Sequence, residues 1–154
     1  MDFHTDQSLD LKEDSYICLF SCYENGNETN ETNTLRKLKI LNKKTNELSE
    51  IALKNNSAVL FSTSTNHKFQ HKIILESDKS INRWLGITFR LSKTFVKFIN
   101  NKPYINDSDI SFKMASDDEK KAFYKQRGKE NSNIEHTYPD INYTISKSDL
   151  MDII

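Results

Sequence analysis

The residues best suited to bind a metal ion begin near the start of the chain. The segment His4-Thr5-Asp6 places an imidazole and a carboxylate two residues apart. Because alternate side chains of a strand project from the same face, these two groups would point together if the segment is extended. They would then supply two of the three protein ligands of a two-histidine, one-carboxylate facial triad, the arrangement that holds non-haem Fe(II).

The second histidine of such a triad has to come from elsewhere, and the segment 66–76 offers His67 and His71. If this segment is a strand, His71 shares a face with Ile73 and Leu75. A ligand that points into an apolar interior would have such neighbours. The alternative interpretation of His71 is a core histidine whose hydrogen bonds are satisfied internally.

Arginine is scarce in this chain, which has four Arg and 18 Lys. Two of the four, Arg83 and Arg90, nevertheless lie within eight residues of each other, and Arg90 shares a strand face with Thr88 and Ser92. A guanidinium offers a carboxylate a bidentate pair of donors that Lys cannot reproduce. The pattern predicts an anchored carboxylate at this face. The alternative is a surface strand with one cationic residue.

The elements that would position these residues are mainly strands. Short apolar or alternating segments at 16–23, 35–41, 50–53, 57–62, 67–76, 83–89 and 94–99 predict an all-β sandwich, barrel or jelly roll. Ser116 and Glu119 form a capping-box pattern that predicts a helix over 116–127, ending before Gly128. We expect a β-rich domain over 1–100 and a C-terminal extension over 101–154.

Composition excludes several classes of protein. The 154 residues carry 22 basic and 22 acidic side chains, which argues against a nucleic-acid coat protein or a polybasic membrane binder. No apolar run approaches a membrane span, and the N-terminus does not resemble a signal peptide. Two cysteines, Cys18 and Cys22, are expected to be buried free thiols. We therefore expect an intracellular protein, cytoplasmic or nuclear. Abundant Lys and Asn favour an AT-rich source, such as a protist or a large DNA virus in its host cell.

Taken in order, H-x-D, a β-rich interval, a distal histidine and then arginine with hydroxyls resemble the Fe(II)/2-oxoglutarate-dependent dioxygenases. The segments FHTD, NHKFQHKIIL and RWLGITFR are similar to the AlkB-like branch of that superfamily, and the resemblance covers residues 3–92. It implies a double-stranded β-helix, also called a jelly roll. It also implies O2-dependent oxidation of a C–H bond, commonly an N-methyl group that leaves as formaldehyde. The substrate would then be a methylated nucleic acid or protein.

The resemblance also implies the roles of individual residues. The ligands of Fe(II) would be His4, Asp6 and His71. The carboxylates of 2-oxoglutarate would lie near four residues of one segment: Arg83, Thr88, Arg90 and Ser92.

Two features depart from the family pattern. The family keeps its two arginines six residues apart, whereas Arg83 and Arg90 are seven apart and would face opposite ways on a regular strand. We therefore expect either a β-bulge near Gly86 or a single inward arginine, Arg90. The family also has a core strand and a substrate lid before H-x-D, where this chain has three residues. We expect the chain to correspond to the C-terminal part of such an enzyme, completed by a second chain.

Two other interpretations compete with this one. Cys18, Cys22, His67 and His71 superficially resemble a zinc site, although 44 residues separate the two pairs where a zinc finger has about 12. The other alternative is a catalytically inactive β-domain that serves as a binding or interaction module.

Overall fold

The computed structural model describes residues 2–26, 36–75 and 82–152. Within these ranges the chain is mainly β, as predicted. The strands are β1 (Tyr16–Tyr23), β2 (Arg36–Asn42), β3 (Leu48–Ala52), β4 (Ser57–Ser62), β5 (Phe69–Leu75), β6 (Trp84–Phe89), β7 (Val96–Ile99), β8 (Lys102–Ile105), β9 (Lys113–Met114) and β10 (Tyr143–Thr144). The helices are α1 (Thr63–Lys68), α2 (Asp117–Ser132) and a 3-10 helix at Lys147–Leu150. None of the helices described is long and apolar enough to span a membrane.

Two three-stranded antiparallel sheets form the centre of the molecule. One has the order β4-β1-β6 and the other the order β3-β2-β5. Leu19 of the first sheet, Leu38 of the second and Leu53 form the buried apolar cluster. Partly buried side chains from both sheets pack against this cluster, namely Ile40, Val59, Ile73 and Trp84. The main apolar core is therefore shared by the two sheets.

Strand β1 is the central strand of its sheet, and only one of its faces is buried. Ile17 and Leu19 point inward, whereas Cys18 and Cys22 lie on the opposite face as half-buried free thiols. The prediction of free thiols is confirmed, but the prediction that they are buried is wrong. Cys18 pairs with Leu60 of β4, which is 63% exposed, because this outer face of the sheet is not covered by any described residue of the chain.

Strand β6 runs without interruption beside β1, from the pair Tyr23–Trp84 to the pair Cys18–Phe89. We expected either a β-bulge near Gly86 or a single inward arginine, and no bulge is formed. Gly86 has a packing role instead, because a Cβ atom at this position would lie only 2.5 Å from Cζ2 of Trp84 and closer still to Cη2. The indole lies across Gly86 and donates a hydrogen bond from Nε1 to Oγ of Ser21, at 2.6 Å.

Several predicted boundaries differ from the structure by one or more residues, and two of these differences bear on the candidate site. The predicted strand 67–76 begins only at Phe69, because the preceding residues form α1, whose N-cap Ser62 accepts a hydrogen bond from the Thr65 amide. The capping box at Ser116 is present, but α2 continues past Gly128 to Ser132 instead of ending at 127. Contacts of the last turn of α2 with other elements of the chain explain this extension.

Candidate metal centre

The H-x-D segment docks against β5 through a single antiparallel bridge. The amide of His4 donates to the carbonyl of His71 at 3.0 Å, and the amide of His71 donates to the carbonyl of His4 at 2.7 Å. The centroids of the two imidazole rings consequently lie 4.6 Å apart. His71 shares its strand face with Ile73, which packs on the core, so its side chain points inward as predicted.

Asp6 completes a group of three potential ligands. One ligand atom from each of His4, Asp6 and His71 lies within 4.8 Å of the other two. His71 Nε2 lies 3.7 Å from Asp6 Oδ1, and the Asp6 side chain is only 6% exposed. The structure therefore brings the three predicted ligands together at one partly buried position.

The hydrogen bond of the His4 ring and the pKa of His71 both suit metal binding. His4 Nδ1 donates to the carbonyl of Asp2 at 3.0 Å, which fixes the tautomer and leaves Nε2 as an acceptor for a metal. Burial lowers the pKa of His71, and this outweighs the opposing effect of Asp6. His71 is therefore neutral at neutral pH, the form in which imidazole binds metals.

The backbone of Asp6 is held by Asn66, a residue to which the sequence analysis assigned no role at the centre. Asn66, in α1, accepts from the Asp6 amide at 2.9 Å and donates to the Asp6 carbonyl at 2.7 Å. Asn66 is 2% exposed. These two bonds replace the strand pairing that Asp6 lacks, and they fix the direction in which its carboxylate leaves the backbone.

Arg90 lies directly against the predicted metal ligand. Its Nε donates to Asp6 Oδ2 at 3.1 Å, and its Nη2 lies 3.0 Å from Oδ1. A nearly buried carboxylate is costly unless it is paired, and this guanidinium supplies the pairing. Arg90 follows β6 immediately, so the register of that strand determines the position of the contact.

The other residues predicted to bind a carboxylate ligand lie in different surroundings. Arg83 is 82% exposed and forms a bidentate pair with Glu24, at 2.8 and 2.6 Å. Because β6 has no bulge, Arg83 and Arg90 lie on opposite faces. Thr88 is exposed opposite Leu19, and the Ser92 hydroxyl donates to the Asp10 carboxylate and lies 2.9 Å from the Thr94 carbonyl oxygen. Four residues were predicted to lie near the carboxylates of 2-oxoglutarate. Among the contacts of the described residues, Arg90 is the one of these four that bonds to Asp6.

A cavity of about 800 Å³ opens beside Asp6 and Arg90. Its lining also includes residues from the C-terminal part of the chain, among them Arg127, Tyr138 and Tyr143. The family resemblance found in the sequence ends at residue 92, yet these residues border the same space as the predicted metal ligand.

The zinc alternative is not supported by the geometry. Cys18 and Cys22 lie on the outer face of β1, and His67 lies in α1. Within the described parts of the chain, the group of His4, Asp6 and His71 is the only set of three or more His, Cys, Asp or Glu side chains that could share a metal.

Comparison of the chain with protein-family models, with curated proteins and with solved structures finds no match.

Proposed function

We propose that this chain is an Fe(II)- and 2-oxoglutarate-dependent oxygenase domain of the AlkB-like type. The observation that carries the proposal is the convergence of His4, Asp6 and His71 beside Arg90. In this proposal the sheets β4-β1-β6 and β3-β2-β5 are the two sheets of a double-stranded β-helix. The predicted order of motifs along the chain gives independent support.

The donor set fits a divalent transition metal. Two imidazoles and one carboxylate on one side of an ion leave the opposite side open for other ligands, which is the facial-triad arrangement. Metal–ligand distances of about 2.1 Å require neighbouring donors to lie roughly 3 Å apart. The donor atoms lie within 4.8 Å of one another, so small side-chain rotations would close the site.

Arg90 is compatible with a metal on Asp6. A carboxylate has about four lone-pair positions, and the contacts with Arg90 leave positions for a metal ion. Ligating carboxylates are themselves commonly held by hydrogen bonds, and Arg90 would orient Asp6 in this way. Its side chain is 41% exposed and borders the cavity, so its remaining N–H groups can approach a carboxylate placed there.

We place 2-oxoglutarate and the organic substrate on the cavity side of Asp6. Bound Fe(II), with 2-oxoglutarate and O2, would supply the oxidation of a substrate C–H bond. The residues of the chain would hold the ion, orient Asp6 and bind a carboxylate through Arg90. An N-methyl group of a nucleic acid or protein is the substrate that the AlkB-like resemblance favours.

The proposal is tested by anaerobic titration of the purified chain with Fe(II) and then 2-oxoglutarate. A saturable metal-to-ligand charge-transfer band in the visible region is expected for the wild type. The band should be lost in His71→Ala and Arg90→Ala.

The chain contains a matched control for each substitution. His67→Ala removes a histidine four residues earlier, and Arg83→Ala removes the arginine that pairs with Glu24 at the surface. Both controls should keep the band. A folded wild-type protein that binds no Fe(II), or one whose band persists in His71→Ala, would refute the proposed function.

A further inference from the structure

The last turn of α2 holds both of the segments that carry the metal ligands. The side chain of Asn131 accepts a hydrogen bond from the Thr5 amide at 3.0 Å, and Thr5 lies between His4 and Asp6. The carbonyl of Asn131 accepts from Nε2 of Gln70 at 2.6 Å, and Gln70 precedes His71. One residue thus connects the two halves of the centre.

Glu130 strengthens the same attachment. Its carboxylate is fully buried and accepts from the amide and the hydroxyl of Ser8, at 2.8 and 2.6 Å, and from the Tyr138 hydroxyl at 2.6 Å. Its carbonyl accepts from Nζ of Lys43 at 2.8 Å. The carbonyls of a last helical turn have no partner within the helix, so these contacts dock the end of α2 onto the sheet that carries His71. They also account for the continuation of α2 past Gly128.

The H-x-D segment depends on these contacts because it has little strand pairing. Its backbone forms one bridge, between His4 and His71, and then leaves β5. The next two amides, of Thr5 and Asp6, are satisfied by the side chains of Asn131 and Asn66. Thr5 is fully buried, so loss of its partner would leave an amide without access to water.

We propose that Asn131 is a positioning residue of the metal centre, which sets the separation of the H-x-D segment from His71. The C-terminal extension is then part of the centre, and α2 acts on metal affinity through the backbones of Thr5 and Gln70. The inference rests on the metal-binding part of the proposed function. Residues that orient metal ligands typically change affinity by about 10- to 100-fold when they are replaced.

The experiment uses calorimetry to compare the binding of Co(II) alone, as a stable stand-in for Fe(II), to five proteins of the whole 154-residue chain. They are the wild type, Asn131→Ala, Asn131→Asp, Ser132→Ala and Gln70→Ala. Asn131→Ala should weaken binding by about tenfold or more. Asn131→Asp retains an oxygen acceptor for the Thr5 amide and should bind within about threefold of the wild type. Ser132→Ala is the matched control, because Ser132 is exposed and its hydroxyl bonds only within α2, to the Lys129 carbonyl.

Hydrogen exchange of the same proteins separates positioning from a loss of folding. Linkage is reciprocal, so if Asn131 favours metal binding, the metal must favour the Asn131 contact. Co(II) should therefore slow exchange at the Thr5 amide in the wild type and in Ser132→Ala, but much less in Asn131→Ala. Gln70→Ala removes only the hydrogen bond from Gln70 to the Asn131 carbonyl and should weaken Co(II) binding severalfold. This variant tests the same inference if Asn131→Ala does not fold.

The outcomes distinguish this inference from the proposed function. Tight Co(II) binding to a folded Asn131→Ala or Gln70→Ala protein, within threefold of the wild type, would overturn the positioning role and leave the metal centre intact. Equal losses in Asn131→Ala and Asn131→Asp would also overturn it. Failure of the wild type itself to bind metal would refute the proposed function.

Discussion

The packing of Trp84 on Gly86 makes a sharp prediction about Gly86→Ala. The new methyl group would occupy the position of the indole ring, so the ring would have to rotate away from the strand. Trp84 would then lose its packing on the core cluster and its hydrogen bond to Ser21. It would also leave the guanidinium of Arg36, which lies 5.1 Å from the centre of the ring.

The expected cost follows from these contacts. Overpacking of a tightly filled site costs about 1–3 kcal/mol. The hydroxyl of Ser21 is in a fully buried residue, and loss of its partner adds about 1–3 kcal/mol. We therefore expect Gly86→Ala to lower the free energy of unfolding by about 2–6 kcal/mol, a large share of the total for a typical domain.

Urea unfolding followed by tryptophan fluorescence measures this effect directly, because Trp84 is the only tryptophan of the chain. The folded variant should also show a changed emission maximum. Gly128→Ala is the control, since a Cβ there meets nothing within 4 Å and an exposed helical alanine should stabilise by about 0.5–1 kcal/mol. Unchanged stability and unchanged emission in Gly86→Ala would refute the packing described for Trp84.

Two further predictions concern α2. The Glu119 carboxylate accepts hydrogen bonds from the Lys113 side chain and from the Ser116 amide, and these lower the pKa of Glu119 to about 2. The stabilisation by the Glu119 carboxylate should therefore be full above pH 4.5 and be lost as the pH falls toward 2. The melting temperature of Glu119→Gln should therefore lie below that of the wild type at pH 7 and approach it at pH 2; a constant difference would contradict this assignment. Glu130→Ala should cost about 3–5 kcal/mol in urea unfolding, because Ser8 and Tyr138 lose a buried charged partner. Glu130→Gln keeps an oxygen acceptor and should cost less, and equal costs would argue against the hydrogen-bonding role.

The sequence predicts the bounds of a strand accurately where the local pattern of apolar and polar residues is enough to define both ends. Strands β1 and β4 match their predicted bounds, because each is a short apolar run bounded by polar residues. The hairpin of β7 and β8 was predicted only in part. Its two-residue turn, Asn100-Asn101, has positive φ at both residues, which is the type I′ geometry that favours asparagine.

Helix ends were predicted less well because contacts distant in sequence determine them. Gly128 is a reasonable helix terminator when only its neighbours are considered. In the structure the next turn of α2 is held by Lys43, Gln70 and Ser8, which lie in other elements of the chain. Such contacts leave no local signal around residue 128.

The same distinction applies to the candidate metal centre. His4, Asp6 and His71 were found from residue type and spacing, and Arg90 from the scarcity of arginine. Asn66 and Asn131 were missed, because an asparagine that satisfies a distant backbone amide has the same local sequence appearance as one in a turn. Their partners, the backbone amides of Asp6 and Thr5, are identified only once the H-x-D segment is seen to pair with β5.

These contacts have a common physical consequence for the centre. A buried carboxylate and two imidazoles would be unfavourable as an isolated group. Here Arg90 pairs with Asp6, burial keeps His71 neutral, and the backbone carbonyl of Asp2 holds His4. The group is therefore satisfied by the protein itself, unlike the ligands of a zinc finger, which are held together only when the metal is bound. The fold therefore fixes the positions of these side chains. The affinity of the group for metal should depend on residues such as Asn131, which hold the ligand-bearing segments, as well as on the ligands themselves.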